Sequence, residues 1–211
     1  MLIVHHLGIS QSERVVWLCE ELGVPYELKL YTRDPVTRLA PAAYKALHPF
    51  GTAPVITDGD LVLGESGAII EYIINKYGGG RLAVAPDKPN YSDYLFWWHF
   101  TNGSITPAQM MVMMSSMLGE GHAWSGVWTQ RNDNAFAMLE TRLGKTPYLA
   151  GPDLTAADIM LVYNLTTMRQ FAPHDLAAFP NIRAYLKRIG ERPAYQRAMA
   201  KAEPGQPLNL S

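Results

Sequence analysis

Apolar and polar positions along this chain of 211 residues change their period several times. Leu2 to His5 is a short apolar run closed by Gly8, the pattern of a buried strand. From Ser12 the spacing lengthens. Val15, Leu18, Cys19 and Leu22 recur every three or four residues and form one helical stripe, which Gly23 and Pro25 end. Tyr26 to Tyr31, YELKLY, alternates and predicts a second strand. Strand, helix and strand joined this tightly predict a parallel pair with a right-handed crossover. TRDPVTRLAPAAYKALHPFG has little period and predicts loop plus a short helix near Ala42 to Leu47. PVITDGDLVL then holds two apolar runs around Asp58-Gly59, a dipeptide suited to the φ > 0 conformations of a tight hairpin turn. In SGAIIEYIINKYGGG, Ile69, Ile70, Ile73 and Ile74 make a helical stripe that the glycines at 78–80 stop. The predicted order is β-α-β-α-β-β-α, with the last two strands antiparallel.

The period changes for good after Gly80. RLAVAPDKPN, with its prolines and no repeat, predicts a linker over 81–90. Beyond Tyr91 helical spacing alone remains, at about 91–118, 124–144, 155–171, 179–190 and 193–201. Pro107 should kink or interrupt the first of these, because it has no N–H and its ring crowds the preceding turn. In LTAAD, Thr155 is placed as N-cap with Asp158 three residues on and Leu154 facing Ile159, a capping box with a hydrophobic staple. The expected architecture is an α/β domain over 1–80, the linker 81–90 and an all-helical domain over 91–211.

Composition narrows the functional classes. With 48% hydrophobic residues the chain can bury a core, so disorder is not expected. A net charge of −1 without a Lys/Arg cluster argues against nucleic acid or an acidic membrane as the main partner. The lone Cys19 cannot make an internal disulfide, which points to a reducing compartment. Its place on the apolar stripe makes it a small buried hydrophobe instead of a reactive thiol. MLIVHHLGIS is too short and too quickly polar for a signal peptide, and no apolar run reaches a membrane span. A soluble, cytoplasmic protein is therefore expected. The histidines lack metal-ligand spacing, and His5 and His6 point to opposite faces of a strand, so no metal is expected. Gly78 to Gly80 follows a helix instead of opening one, unlike a phosphate loop.

Four motifs then occur in order. Ser10-Gln11-Ser12-Glu13-Arg14 resembles the S-x-x-x-R segment of the serine-type soluble glutathione transferases. HPFGTAPV, from His48 to Val55, resembles the segment that carries their cis-proline, and Gly64-Glu65-Ser66 resembles the E-S pair before their third helix. The box at 155–158 is similar to the one in their helical domain. YTRD and HPFGTAP look most like a bacterial and fungal branch. The resemblance covers essentially the whole chain. It implies a thioredoxin-like first domain, glutathione as co-substrate, a homodimer and a role in detoxification.

The resemblance also assigns residues. The Ser10 hydroxyl would donate a hydrogen bond to the glutathione sulfur. A free thiol has a pKa of roughly 8.5, and a donor beside a helix start favours the anion. Cysteine-type classes carry their cysteine near position 10, where this chain has Ser10. The residues alone also allow Ser10 as a plain turn residue and Ser12 as the donor, although Ser12 is the better N-cap by pattern. Arg14 would brace the segment. Pro54 would be cis, letting the Ala53 backbone pair with the cysteinyl part of glutathione; an ordinary trans proline opening a strand is the plainer reading. Thr52 and His48 lie where the family meets the glycyl carboxylate. Threonine departs from the usual cation or amide donor, which leaves Arg33, Arg38 or Lys45 as suppliers. Glu65 would meet the γ-glutamyl ammonium, and Ser66 with the helix start its carboxylate, while Ser66 also fits an N-cap.

For the second substrate the candidates are His6, Leu7, Gly8, Met110, Met113, Met114 and Met117. Methionine is soft enough for varied apolar ligands, and the same Met- and Trp-rich run also fits helix core and subunit contact. The aromatic-rich helix after Tyr91 and the helix after Ser66 carry the apolar surface expected to meet in the homodimer. The expected reaction joins the glutathione thiolate to small, mostly apolar electrophiles. Peroxide reduction by the same thiolate is the nearby alternative, and a non-catalytic glutathione-binding module the distant one.

Overall fold

The computed structural model describes residues 1–118 and 124–211. The chain divides into two compact units: Met1–Leu82 with Gly190–Leu208, and Ala83–Ile189 with Asn209–Ser211. His122 and the rest of 119–123, part of the Met- and Trp-rich run, lie outside the described residues.

The first unit holds β1 (Leu2–Leu7), α1 (Glu13–Leu22), β2 (Glu27–Tyr31), α2 (Ala42–Lys45), β3 (Val55–Asp58), β4 (Leu61–Gly64) and α3 (Ser66–Lys76), in the expected order. Its sheet runs β2-β1-β3-β4, with β1 parallel to β2 and antiparallel to β3, and β3 antiparallel to β4. This is a thioredoxin-like mixed sheet. The α1 stripe is fully inside, and the helix ends where Gly23 takes φ 65°, a left-handed turn that a side chain would oppose. Along β1 the side chains alternate. His6 faces α1, whereas Leu7 packs with Tyr44 of α2 and Val55.

The last helix, α9 (Pro193–Ala202), belongs to this first unit, a departure from the domain division that periodicity predicts. Charge and ring contacts on α1 explain it. Arg192 grips Glu21 with two bonds of 2.7 and 2.9 Å, and Arg197 and Lys201 both reach Glu20. Trp17 meets Tyr195 edge to face at 4.9 Å.

The second unit is helical: α4 (Tyr91–Phe100), α5 (Thr106–Leu118), α6 (Ser125–Leu143), α7 (Ala156–Leu165) and α8 (Pro180–Gly190). The interruption expected at Pro107 is a π-helical turn, Thr101–Ile105, just ahead of it. The wider turn relieves the clash between the proline ring and the carbonyl of Gly103. α7 is buried on every side. The box at its start is present. Asp158 accepts from the Thr155 N–H at 2.9 Å and hydroxyl at 3.1 Å, and also from the Leu149 N–H and the Tyr185 hydroxyl. Burial outweighs these donors and pushes the Asp158 carboxyl up to about 6.

One expectation about surfaces needs correction. On α4, Tyr94, Trp97 and Trp98 are buried, and α3 turns Glu71, Asn75 and Lys76 outward. The exposed apolar surface left on α4 is chiefly Phe96, with Tyr91, Leu95 and Phe100 partly exposed beside it. Among the described residues no helix is long and apolar enough to cross a membrane, and no cluster of three or more His, Cys, Asp or Glu could hold a metal ion.

Candidate functional site

Strand register gathers the predicted residues at one end of the sheet. Val55 pairs with both His5 and Gly64. Thr52, Ala53 and Pro54 just before β3, Glu65 and Ser66 just after β4, and the loop after β1 therefore emerge together. The Ala53–Pro54 peptide is cis. The helices α1 and α3 both begin here, so their free N–H groups and positive dipole ends converge on the same place.

The turn into α3 differs in one detail from the residue-type expectation. Glu65 is the N-cap and Ser66 the first helical residue. The ring of His48 lies against Gly64, where a Cβ would meet it at 3.3 Å, and the chain turns into the helix within the next residue. Glu65 makes that turn at φ 67°, a conformation few residues other than glycine adopt. Its side chain is exposed, while Ser66 is buried and its hydroxyl accepts from Arg14 Nη1 at 3.3 Å. The same nitrogen donates to Gln11 Oε1 at 2.5 Å, so Arg14 ties the start of α1 to the start of α3. His48 Nδ1 accepts the Phe50 N–H.

The loop after β1 carries the serine pair. Ile9 has φ 54°, an outlier for a β-branched residue, and is gripped on both sides. Its N–H donates to Glu203 Oε1 at 2.5 Å, and its carbonyl accepts from Arg33 Nη2 at 3.0 Å. The Arg33 fork also donates to the carbonyls of Gly8 and Arg38. Arg33 thus holds the loop, which corrects its candidacy for the glycyl carboxylate; Lys45 remains exposed on α2. Ser10 is buried, and its hydroxyl donates to the Leu7 carbonyl at 2.6 Å and lies 2.7 Å from Ser12 Oγ. Ser12 occupies the N-cap position, but its hydroxyl makes no capping bond. It accepts from the Leu7 N–H at 3.1 Å and meets His6 Nδ1 at 2.9 Å. Cys19 is fully buried one helical stretch away, its thiol pushed up to about 12 by desolvation.

The candidates for a second substrate are divided. His6 and Gly8 line a cavity of about 400 Å³ with Ile9, Tyr31, Arg38 and Glu203. Leu7 does not, because alternation sends it to the core on the opposite face. In the second unit, Met113 packs against Tyr163 and Met168, while Met110, Met114 and Met117 are exposed on α5. Sequence reasoning missed Glu203, whose carboxylate meets both Ile9 and His6 Nε2, the latter at 3.0 Å. Nothing in KAEPGQ marks it, since its partners lie 194 and 197 residues away.

A thioredoxin-like sheet with a cis-proline strand, a strained residue opening α3 and an all-helical second unit defines a class of glutathione-handling folds. Comparison with known proteins agrees. Residues 10–76 match the family model of the glutathione S-transferase N-terminal domain, and residues 123–188 that of the C-terminal domain. Glutathione S-transferase 3 of maize is 31% identical, over 89% of this chain and 87% of its own. Glutathione S-transferase 3 of Schizosaccharomyces pombe is 29% identical, over 96% of this chain and 88% of its own. A solved glutathione S-transferase from Actinobacillus pleuropneumoniae superposes with a TM-score of 0.89 at 33% identity, covering 100% of this chain and 99% of its own. The chain belongs to the glutathione S-transferase family.

Proposed function

We propose that this protein binds glutathione at the sheet end formed by residues 8–14, 52–54 and 64–66, ionises its thiol and joins the sulfur to small, mostly apolar electrophiles. The observation that carries this reading is Glu65. A non-glycine residue held at φ 67° beside two converging helix starts supports a site where its carboxylate meets an ammonium and the helix start meets a carboxylate. The γ-glutamyl end of glutathione presents one of each at a single carbon. The Ala53 backbone, ahead of β3, is positioned to take the cysteinyl part as an added strand segment. Ser10 then lies within reach of the sulfur and acts as donor to the thiolate, with Ser12 behind it. The electrophile is assigned to the cavity that His6 and Gly8 line. Thr52, His48 and Lys45 surround the glycyl end.

Two further readings follow from family membership. The chain forms a homodimer, supported by Phe50 at 72% exposure and Phe96 at 48%, apolar surface that a second copy would cover. It works in the cytoplasm, a setting that suits a lone buried cysteine. Calorimetric titration with glutathione is the test: one site per chain is expected, weakened about ten- to a hundredfold in Glu65→Ala by the loss of a charged hydrogen bond. No heat at millimolar glutathione would overturn the reading. Turnover against halides, epoxides, enones and hydroperoxides then identifies the electrophile class.

A further inference from the structure

Behind the serine pair stands a continuous chain of hydrogen-bonding groups. Ser10 Oγ is 2.7 Å from Ser12 Oγ, Ser12 Oγ is 2.9 Å from His6 Nδ1, and His6 Nε2 is 3.0 Å from Glu203 Oε1. Every link is short enough for a proton to hop. The order is hydroxyl, hydroxyl, imidazole, carboxylate, an arrangement in which a carboxylate orients an imidazole that acts as base.

With Glu203 ionised and His6 neutral, hydrogen-bond accounting gives the chain one polarity. An ionised Glu203 can only accept, so His6 Nε2 carries a proton toward it. A neutral His6 then has a lone pair on Nδ1, and Ser12 donates into it. Ser12 Oγ accepts from the Leu7 N–H at 3.1 Å and has one more acceptor position, which Ser10 can fill. When Ser10 turns its proton from the Leu7 carbonyl to Ser12, its own oxygen is open to accept from a thiol. The reverse polarity is equally satisfied. With both His6 nitrogens protonated, Nδ1 donates to Ser12, Ser12 to Ser10, and Ser10 outward. Ser12 keeps its bond from Leu7 in both states.

We propose that Glu203 and His6 form the base that removes the glutathione thiol proton, relayed through Ser10 and Ser12. This rests on the reading that Ser10 faces the glutathione sulfur. The balance is simple. The S–H bond breaks, and its proton passes to Ser10 Oγ as the Ser10 proton passes to Ser12 Oγ and the Ser12 proton to His6 Nδ1. One N–H bond forms, both hydroxyls are restored, and the products are a thiolate and an imidazolium. The thiolate now accepts from Ser10, and the imidazolium faces the Glu203 carboxylate. After the sulfur has reacted, the proton on His6 goes to the product anion, or to the cavity that His6 and Glu203 line.

The fold spends specific interactions to build this chain. The pairing of α9 with Glu20 and Glu21 of α1 brings Glu203, the residue that ends α9, to the loop after β1. The Glu203 carboxylate also takes the Ile9 N–H, so the strained residue before Ser10 is held by the same oxygen that meets His6. The other charged or titratable groups lining the cavity with His6 are Tyr31, Arg33 and Arg38, and the guanidinium of Arg33 is engaged on backbone carbonyls. Glu203 is the carboxylate among them. His6 and Ser12 are almost wholly buried, which strengthens each link by excluding water.

The test separates proton removal from binding. Glu203→Gln keeps an amide oxygen to accept from Ile9 and His6 and loses only the charge. His6→Asn keeps an amide atom near Nδ1 and loses the imidazole base. The ultraviolet absorbance of the bound glutathione thiolate is titrated against pH, and the affinity for S-methylglutathione, which has no thiol proton, is measured in parallel. In each variant the thiol should titrate higher by on the order of one pH unit, with S-methylglutathione affinity unchanged. Unshifted thiolate titration in both variants, with parental S-methylglutathione binding, overturns the relay alone. A shift in His6→Asn without one in Glu203→Gln overturns the part given to Glu203. A parent that does not bind S-methylglutathione overturns the glutathione reading and the relay with it.

Discussion

Each unit has a carboxylate at the centre of a polar network, and the two differ in kind. Asp158 in the second unit is enclosed by fixed donors: two backbone N–H groups and the hydroxyls of Thr155 and Tyr185. None of these donors gives up its proton near neutral pH, so a proton gained or lost by Asp158 cannot be passed along the network. Glu203 in the first unit meets one backbone N–H and one imidazole. Imidazole is the side-chain group whose charge changes most readily near neutrality, and here the hydroxyls of Ser12 and Ser10 extend from it toward the proposed glutathione site. A carboxylate surrounded by permanent donors is a brace, whereas one bonded to an imidazole that leads on to two hydroxyls can drive a proton.

The largest effect that could break this contrast is on stability. Asp158→Ala strands several buried donors and should cost roughly 3–5 kcal/mol in urea unfolding, whereas Glu203→Ala, at a cavity wall, should cost about 1–2 kcal/mol. Comparable losses would mean that Glu203 too is a brace. pH sharpens the point. The Asp158 carboxyl is raised to about 6 in the fold, above its ordinary unfolded value of about 3.9, so the folded state holds the proton more tightly. Its contribution is full below about pH 4 and is lost as pH rises through about 6, by on the order of 3 kcal/mol. The stability of the parent minus that of Asp158→Asn, followed across this window, should fall by that amount. A difference that stays constant would show Asp158 ionised throughout, with its donors outweighing burial.

The next effect is on rate. Ser10→Ala removes the hydroxyl proposed to meet the thiolate and should lower turnover near neutral pH by about ten- to a hundredfold, the rate equivalent of one charged hydrogen bond. Much of that loss should return at high pH, where the thiol ionises unaided. Asp158→Asn should leave the shape of the pH–rate profile as in the parent. If it reshapes the profile while Ser10→Ala does not, the two networks have been assigned the wrong way round.

What could be foreseen in the sequence follows the range over which each feature is encoded. Thr155 and Asp158 are three residues apart and form their box within one turn, so the pattern LTAAD suffices. The meeting of Ala53-Pro54 with Glu65-Ser66 follows from a hairpin whose turn is marked by Asp58-Gly59. Leu7 was foreseeable too: the period of two that separates His5 from His6 also separates His6 from Leu7, so a strand cannot offer both to one cavity. Ser66 misleads because residue type favours serine as a cap, while the backbone turns one residue earlier, at Glu65. The placement of α9 was beyond any local pattern. Glu20 and Glu21 choose Arg192, Arg197 and Lys201 across more than 170 residues, and Glu203 inherits its position from that choice. Charge pairs at such separation leave no periodic trace.

The smallest expected effect closes off the remaining chemistry for sulfur in this chain. Cys19 lies on the α1 stripe, fully buried, one turn from Leu22. Desolvation pushes its thiol up to about 12, so at neutral pH it carries no useful fraction of thiolate and cannot compete with bound glutathione as a nucleophile. Cys19→Ala removes one sulfur atom from a packed helix face and leaves a small void, worth about 1 kcal/mol in stability. The Glu203, His6 and Ser12 contacts do not involve it, so its pH–rate profile and its thiolate titration with bound glutathione should overlay those of the parent. Urea unfolding and turnover with one electrophile, measured on the same preparation, decide the matter. A Cys19→Ala protein that unfolds like the parent but has lost turnover would transfer the chemistry from the serine pair to the cysteine, and the contrast between brace and relay would lose its chemical half.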